Sequence, residues 1–159
     1  MDSEYKISLQ RASNELKLAG IIDFISKNPK LQLDTFKIAE PETYYSAVIS
    51  HSYYAIFYAA KAYLVSKNVH IKSEQGQHQQ VYFEFRKAVL KGEIEKELLR
   101  IYEEVAIKAE VLLEIFLKEK GKRSEFTYQK LPQANAEPAT ESLNNASLFF
   151  KTINGLLKE

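Results

Sequence analysis

The feature that most restricts the fold is residues 44–63, a stretch without an acidic residue in which His51 and Lys61 are the only basic side chains. A helix of that composition is apolar on nearly every side, so it is stable only when other helices pack around it. It is not a membrane span: six tyrosines and three serines are spread through it and its longest unbroken apolar run is 53–60, whereas a bilayer needs about 20 consecutive apolar residues. Its expected place is the centre of a bundle. Ala47, Ala55, Ala59, Ala60 and Ala62 would let a neighbouring helix, or a second copy of this one, approach closely, so homodimer contact is one expected use.

The other periodic segments are helical too, and none alternates apolar and polar residues as a half-buried strand does. Residues 3–27 place Ile7, Ala12, Leu16, Ala19, Ile22 and Ile25 three to five apart and stop at Asn28-Pro29, which predicts an amphipathic first helix. Residues 30–40 read as a connector, and Pro41 then opens the central helix, because proline at a first helical position loses no needed hydrogen bond. Residues 68–76 read as a turn and 77–90 as a shorter helix ended by Gly92. A fourth long helix is expected over 93–120, with Leu98, Tyr102, Val105, Ala109, Leu112 and Phe116 at alternating steps of four and three. Gly121 is its expected stop, 121–137 a long connection, and Pro138 the start of a last helix with Leu143, Ala146, Phe149, Phe150, Ile153 and Leu156 on one side. A chain of 159 residues buries one core and has little room for a second, so 1–159 reads as a single all-α domain.

Composition removes several kinds of chemistry. Without cysteine there is no disulfide scaffold, zinc ribbon or thiol catalysis. The histidines, His51, His70 and His78, are 19 and 8 residues apart, so no pair shares a helical face at i,i+4 and no metal is expected. The five glycines are scattered at 20, 76, 92, 121 and 155, which leaves no phosphate-cradling loop, and the Gly-x-Ser-x-Gly elbow of a serine hydrolase does not occur. No cofactor is expected. A net charge of +1 gives no global attraction to nucleic acid or anionic lipid, so such binding must come from a local patch. Residues 1–10 are polar and mixed in charge, unlike a secretory signal, and the expected compartment is the cytoplasm.

Two groups of residues stand apart from packing. His51, on the central helix, is of the type that titrates near neutral pH and shuttles protons, or that simply fills a hydrogen-bonded core position. The second group is 118–130, with Lys118, Lys120, Lys122, Arg123 and Lys130 against Glu119 and Glu125. Cations at the end of a helix suit its negative pole. They also suit phosphate, with Phe126 and Tyr128 to stack bases, so Lys120, Lys122, Arg123 and Lys130 are candidate nucleic-acid contacts.

The order of helices, the run Ser52-Tyr53-Tyr54-Ala55-Ile56-Phe57-Tyr58-Ala59-Ala60-Lys61-Ala62-Tyr63-Leu64, Arg123 with Tyr128 five positions later, and the closing helix at 141–157 resemble the HEPN domains (higher eukaryotes and prokaryotes nucleotide-binding), in their Tyr-Tyr-Ala branch. The resemblance covers nearly the whole chain. It implies an antiparallel up-and-down four-helix bundle with one additional short helix, commonly paired as a homodimer. Many such domains are metal-independent ribonucleases, often the toxin of a toxin–antitoxin pair whose partner is a small nucleotidyltransferase encoded nearby. Their activity resides in an Arg-x(4 to 6)-His motif contributed by both protomers at the dimer cleft, where histidine can take the ribose 2′-OH proton and arginine can stabilise the charge developing on phosphorus.

The motif is altered here. Arg123 is followed by Ser124-Glu125-Phe126-Thr127-Tyr128, and every histidine lies upstream. A phenol with an ordinary pKa of about 10 is a poor base at pH 7. The resemblance therefore implies Arg123 and Tyr128 as catalytic residues of a degenerate motif, with His51, just before the Tyr-Tyr-Ala run, as the histidine that could compensate in space. Two classes of function follow: a nucleic-acid or nucleotide-binding protein with weak metal-independent endoribonuclease activity, or a non-catalytic helical module that binds another protein.

Overall fold

In the computed structural model the stretch that dominates the sequence is α3 (Tyr45–Ser66), with Val48, Ile49, Ser52, Tyr53, Ala55, Ile56, Phe57 and Ala59 through Leu64, except Lys61, all buried. The structure describes residues 2–72, 76–95, 109–128 and 136–158. Against α3 pack α1 (Asp2–Ser26), α4 (Gln77–Leu90), α5 (Ala109–Tyr128) and α6 (Ala136–Leu156), with α2 (Pro29–Phe36) against α1, and residues 93–95 are helical as well. Among the described residues there is no strand, as the all-α reading requires.

Side-chain contacts give the helix directions. The Ser26 hydroxyl at the end of α1 accepts the Tyr44 N–H at the start of α3, and Glu15 meets His51, so α1 and α3 run oppositely. Lys122 on α5 reaches Glu141 on α6 and Glu119 accepts from Asn145, so these two also run oppositely. Lys27, just past α1, bonds Thr140 near the start of α6, which sets α6 against α1. The long helices α1, α3, α5 and α6 therefore alternate up and down, and α4 is the additional short helix. The core is aromatic where α4, α5 and α6 meet: Phe85, Phe116 and Phe149 are fully buried with ring centroids 5.5–6.0 Å apart. Each such burial stabilises by about 2–3 kcal/mol.

Four boundaries differ from the sequence reading. Pro41 does not open the central helix: the Gln32 and Ser26 side chains hold the backbone of Glu42 and Tyr44, and α3 begins at Tyr45. Residues 30–40 are not a plain connector, because Pro29 starts the eight-residue α2. Its Gln32 side chain, fully buried, donates to the carbonyls of Ile25 and Glu42 and accepts the Glu42 N–H. One amide thus satisfies three backbone groups at the junction, information that no apolar period carries. Gly92 ends the preceding segment as expected, at φ 70°. Gly121, however, does not end the fourth long helix: α5 continues to Tyr128. A helix-interior glycine costs about 1 kcal/mol, which is outweighed by packing on both sides of it, with Leu112, Phe116 and Glu119 buried before and Lys122 and Arg123 bonded after. The stretch expected as a connection over 121–137 is therefore helical up to 128, and α6 already begins at Ala136. The candidate apolar positions Leu98, Tyr102 and Val105 lie outside the described residues.

The central helix is not covered on all sides. Ala47, His51, Tyr54, Tyr58 and Lys61 are each half-buried, and their steps of four and three place them on one face. That stripe is the open side of α3.

Candidate functional site

Arg123 projects from α5 onto this open side. Its Nη2 donates to the Tyr54 hydroxyl at 2.8 Å, and its guanidinium lies over both tyrosine rings of the pair, 4.9 Å from the Tyr54 centroid and 5.3 Å from that of Tyr53. Helix α5 carries Lys120 three residues earlier, on the same face, with its ammonium 4.8 Å over the half-buried Tyr82 ring of α4. Two cations are thus seated on aromatic faces, which attract them without neutralising their charge.

Two histidines flank the tyrosine pair. On one side His78 of α4 stacks on Phe57 with centroids 3.9 Å apart, and its Nδ1 is 2.9 Å from the Tyr53 hydroxyl. Burial, with the Arg123 and Lys120 charges adding to it, lowers the His78 pKa. Tyr53 is itself almost fully enclosed, and burial pushes its phenol up to about 12 against the opposing pull of Arg123. On the other side His51 sits one turn before Tyr54, rings 6.3 Å apart, and its Nδ1 is 2.6 Å from Glu15 Oε2 of α1. One turn earlier on α1, Arg11 lies over the Tyr58 ring at 5.6 Å. The open face of α3 is thus an aromatic strip between Arg11 on α1 and Arg123 on α5.

The other sequence candidates are distributed differently. Lys122 is almost enclosed: it pairs with Glu119 at 3.2 Å and with Glu141 at 2.7 Å. Glu141 also pairs with Lys118, and hydrogen bonds from Lys118 and then Lys122 hold its carboxyl down at about 2. This group ties α5 to α6. Tyr128 closes α5, though its side chain and that of Phe126 lie outside what is described, as does Lys130. Arg123 and His51 are brought to the same strip. Glu15, Arg11 and His78 were not singled out from sequence, since charges on the wet side of an amphipathic helix are commonplace and His78 carried no partner signal, while Tyr54 stood out only as part of the Tyr-Tyr-Ala run. Among the described residues no group of three or more His, Asp or Glu is placed to hold a metal ion.

Residues 27–156 match the family of HEPN domains. The chain belongs to that family. The match spans α2 through α6 and includes the Tyr53-Tyr54 pair, His78, Lys120 and Arg123. Membership makes this a HEPN domain of nucleotide-binding or ribonuclease type. No curated protein and no solved structure gives a significant match. Among the described residues, no helix of this HEPN domain is long and apolar enough to cross a membrane.

Proposed function

We propose that this HEPN domain, of the Tyr-Tyr-Ala branch, binds single-stranded RNA or a nucleotide on the open face of α3, with Arg123 and Lys120 holding phosphate and Tyr54 and Tyr82 offering half-buried rings to bases. The observation that supports it most is the Arg123 guanidinium bonded to one tyrosine hydroxyl and laid over two rings, an arrangement suited to backbone phosphate beside a stacked base. Lys130 and Tyr128 are further candidate contacts from sequence alone, while Lys122 serves mainly to join α5 to α6. Cleavage is slow, because Tyr128 stands where a motif histidine would. The chain works in the cytoplasm as a homodimer and as the toxin-like member of a pair with a nucleotidyltransferase encoded nearby, roles for which family membership is the support. The test is anisotropy of a labelled single-stranded RNA at rising salt: binding must weaken as counterions are released, and Arg123→Ala must weaken it further. Failure to bind at low ionic strength, or binding indifferent to salt, refutes the reading.

A specific observation favours protein contact as well. Ile21 and Phe24 on α1 and Leu33 and Phe36 on α2 are each more than half exposed, more large apolar surface than neighbouring helices ordinarily leave bare. A second copy or another helical protein is the occupant of that reading. Light scattering at micromolar concentration tests the homodimer, and a monomer counts against it.

A further inference from the structure

We propose that Glu15 and His51 together supply the proton acceptor for cleavage of a bound single-stranded RNA, Glu15 as the positioning residue and His51 as the base. This role presupposes the RNA reading of the Arg123 face. A histidine acts as a base when one ring nitrogen is held by a third group and the other keeps its lone pair, the logic of an oriented imidazole. His51 meets that condition: its Nδ1 is 2.6 Å from Glu15 Oε2, so in the neutral ring Nδ1 carries the proton and Nε2 is left to accept one. Both side chains remain about a quarter exposed, at 28% and 26%, and are therefore reachable by a substrate. The pair is also firmly placed, because Ala12 and Ala19, on either side of Glu15 along α1, and Ser52 and Ala55 on α3 are fully buried.

The position relative to Arg123 completes the argument. His51 and Tyr54 lie one turn apart on the same face, with rings 6.3 Å apart, and the Tyr54 hydroxyl takes its hydrogen bond from Arg123 at 2.8 Å. Base and cation thus both adjoin one phenol. His78 fits the part less well, because its Nδ1 is engaged by the Tyr53 hydroxyl and its ring is pressed on Phe57. In the reaction the 2′-OH gives its proton to His51 Nε2 and the 2′-oxygen forms a bond to phosphorus. The bond from phosphorus to the 5′-oxygen breaks, and that oxygen takes a proton from water. The resulting hydroxide recovers the proton from the imidazolium. The products are a 2′,3′-cyclic phosphate and a 5′-hydroxyl end, and Arg123 stabilises the added charge on the phosphoryl oxygens.

The experiment follows cleavage of a labelled single-stranded RNA by the whole chain in the presence of a chelator, with binding measured in parallel on a copy that has deoxyribose at every position 5′ of a scissile bond. His51→Ala should lower kcat by about 100-fold or more, with added imidazole restoring part of it. Glu15→Gln should lower kcat by roughly tenfold while leaving KM within about twofold, the split expected when only the transition state is affected. Thermal melts show that the variants are folded, and if His51→Ala is not, Glu15→Gln carries the test. A wild-type chain that binds RNA without cutting it, or variants that cut as fast as wild type, overturns the proposal and leaves the binding reading standing. A wild-type chain that does not bind RNA removes both.

Discussion

Lys122→Met separates a phosphate contact from a structural cation. Methionine preserves most of the buried stem and removes only the ammonium, which sits 3.2 Å from Glu119 and 2.7 Å from Glu141. Glu141 keeps Lys118 and stays near water, but Glu119 is fully buried. After the substitution its Oε1 retains only the hydrogen bond from Asn145, and its Oε2 has no hydrogen-bond partner among the described residues. Removing one member of a buried pair costs about 3–5 kcal/mol because the other charge is left behind. With Asn145 retained, the lower end, about 3 kcal/mol, is expected. For a domain of this size that corresponds to a fall of roughly 6–12 °C in Tm. Adding Glu119→Gln to Lys122→Met removes the abandoned charge and should recover more than half of the loss, a coupling that a double-mutant cycle reads directly. Denaturant or thermal unfolding measures both, and RNA anisotropy on the folded variant should stay within about twofold of wild type, since no phosphate contact is lost. A variant as stable as wild type that has lost RNA binding would refute the reasoning and return Lys122 to the nucleic-acid surface.

Acid should destabilise the fold in two stages. His78, whose pKa is lowered by burial, withholds a proton that the unfolded chain takes up, so stability is lost as pH falls below about 6.5. Glu141, held at about 2 from an ordinary 4.5, contributes stability above 4.5 that disappears as pH falls towards 2, and Glu141→Gln should flatten that lower stage in a pH series of urea melts. In alkali the sign is opposite: Tyr53, raised by burial from 10.0 to about 12, costs stability as pH rises through that interval, and a spectrophotometric titration should lose its highest-pH tyrosine in Tyr53→Phe. Tyr128→His restores the Arg-x4-His spacing, and a gain in RNA cleavage is expected; an unchanged rate would mean that the missing histidine is not what limits the reaction. Arg11→Ala removes one flank of the aromatic strip and should reduce both RNA affinity and the steepness of its salt dependence by about one phosphate contact.

Most of the bundle was legible in the sequence because its helices report themselves through buried periodicity. The absence of acidic residues over 44–63 located α3, and α4 was bounded by Gly92. What was misread lay where tertiary contacts overrule local preference. Gly121 has the local character of a stop, yet the ties of Glu119, Lys122 and Arg123 to neighbouring helices carry α5 past it. Gln32 looks like any surface glutamine until its three backbone partners converge. The site was half legible: Arg123 stood out as part of a cation cluster and His51 as an unusual residue on an apolar helix. Their relation through Tyr54 depends on how far α5 runs and on which face of α3 is left open, and neither is a periodic property. Glu15 was hidden for a simpler reason, since an acid on the wet side of an amphipathic helix is commonplace.

The seating of Arg123 on Tyr54 gives the site an optical property. The chain has ten tyrosines and no tryptophan, so its ultraviolet emission comes from phenols alone. Arg123 is bonded to one of them and lies over a second. A phosphate that draws the guanidinium away, or a base that settles on the ring, alters the quenching of those two chromophores and leaves the tyrosines away from the strip as an internal reference. Occupancy of the site is therefore written into the unmodified protein's own fluorescence, and Tyr54→Phe should change that signal at source.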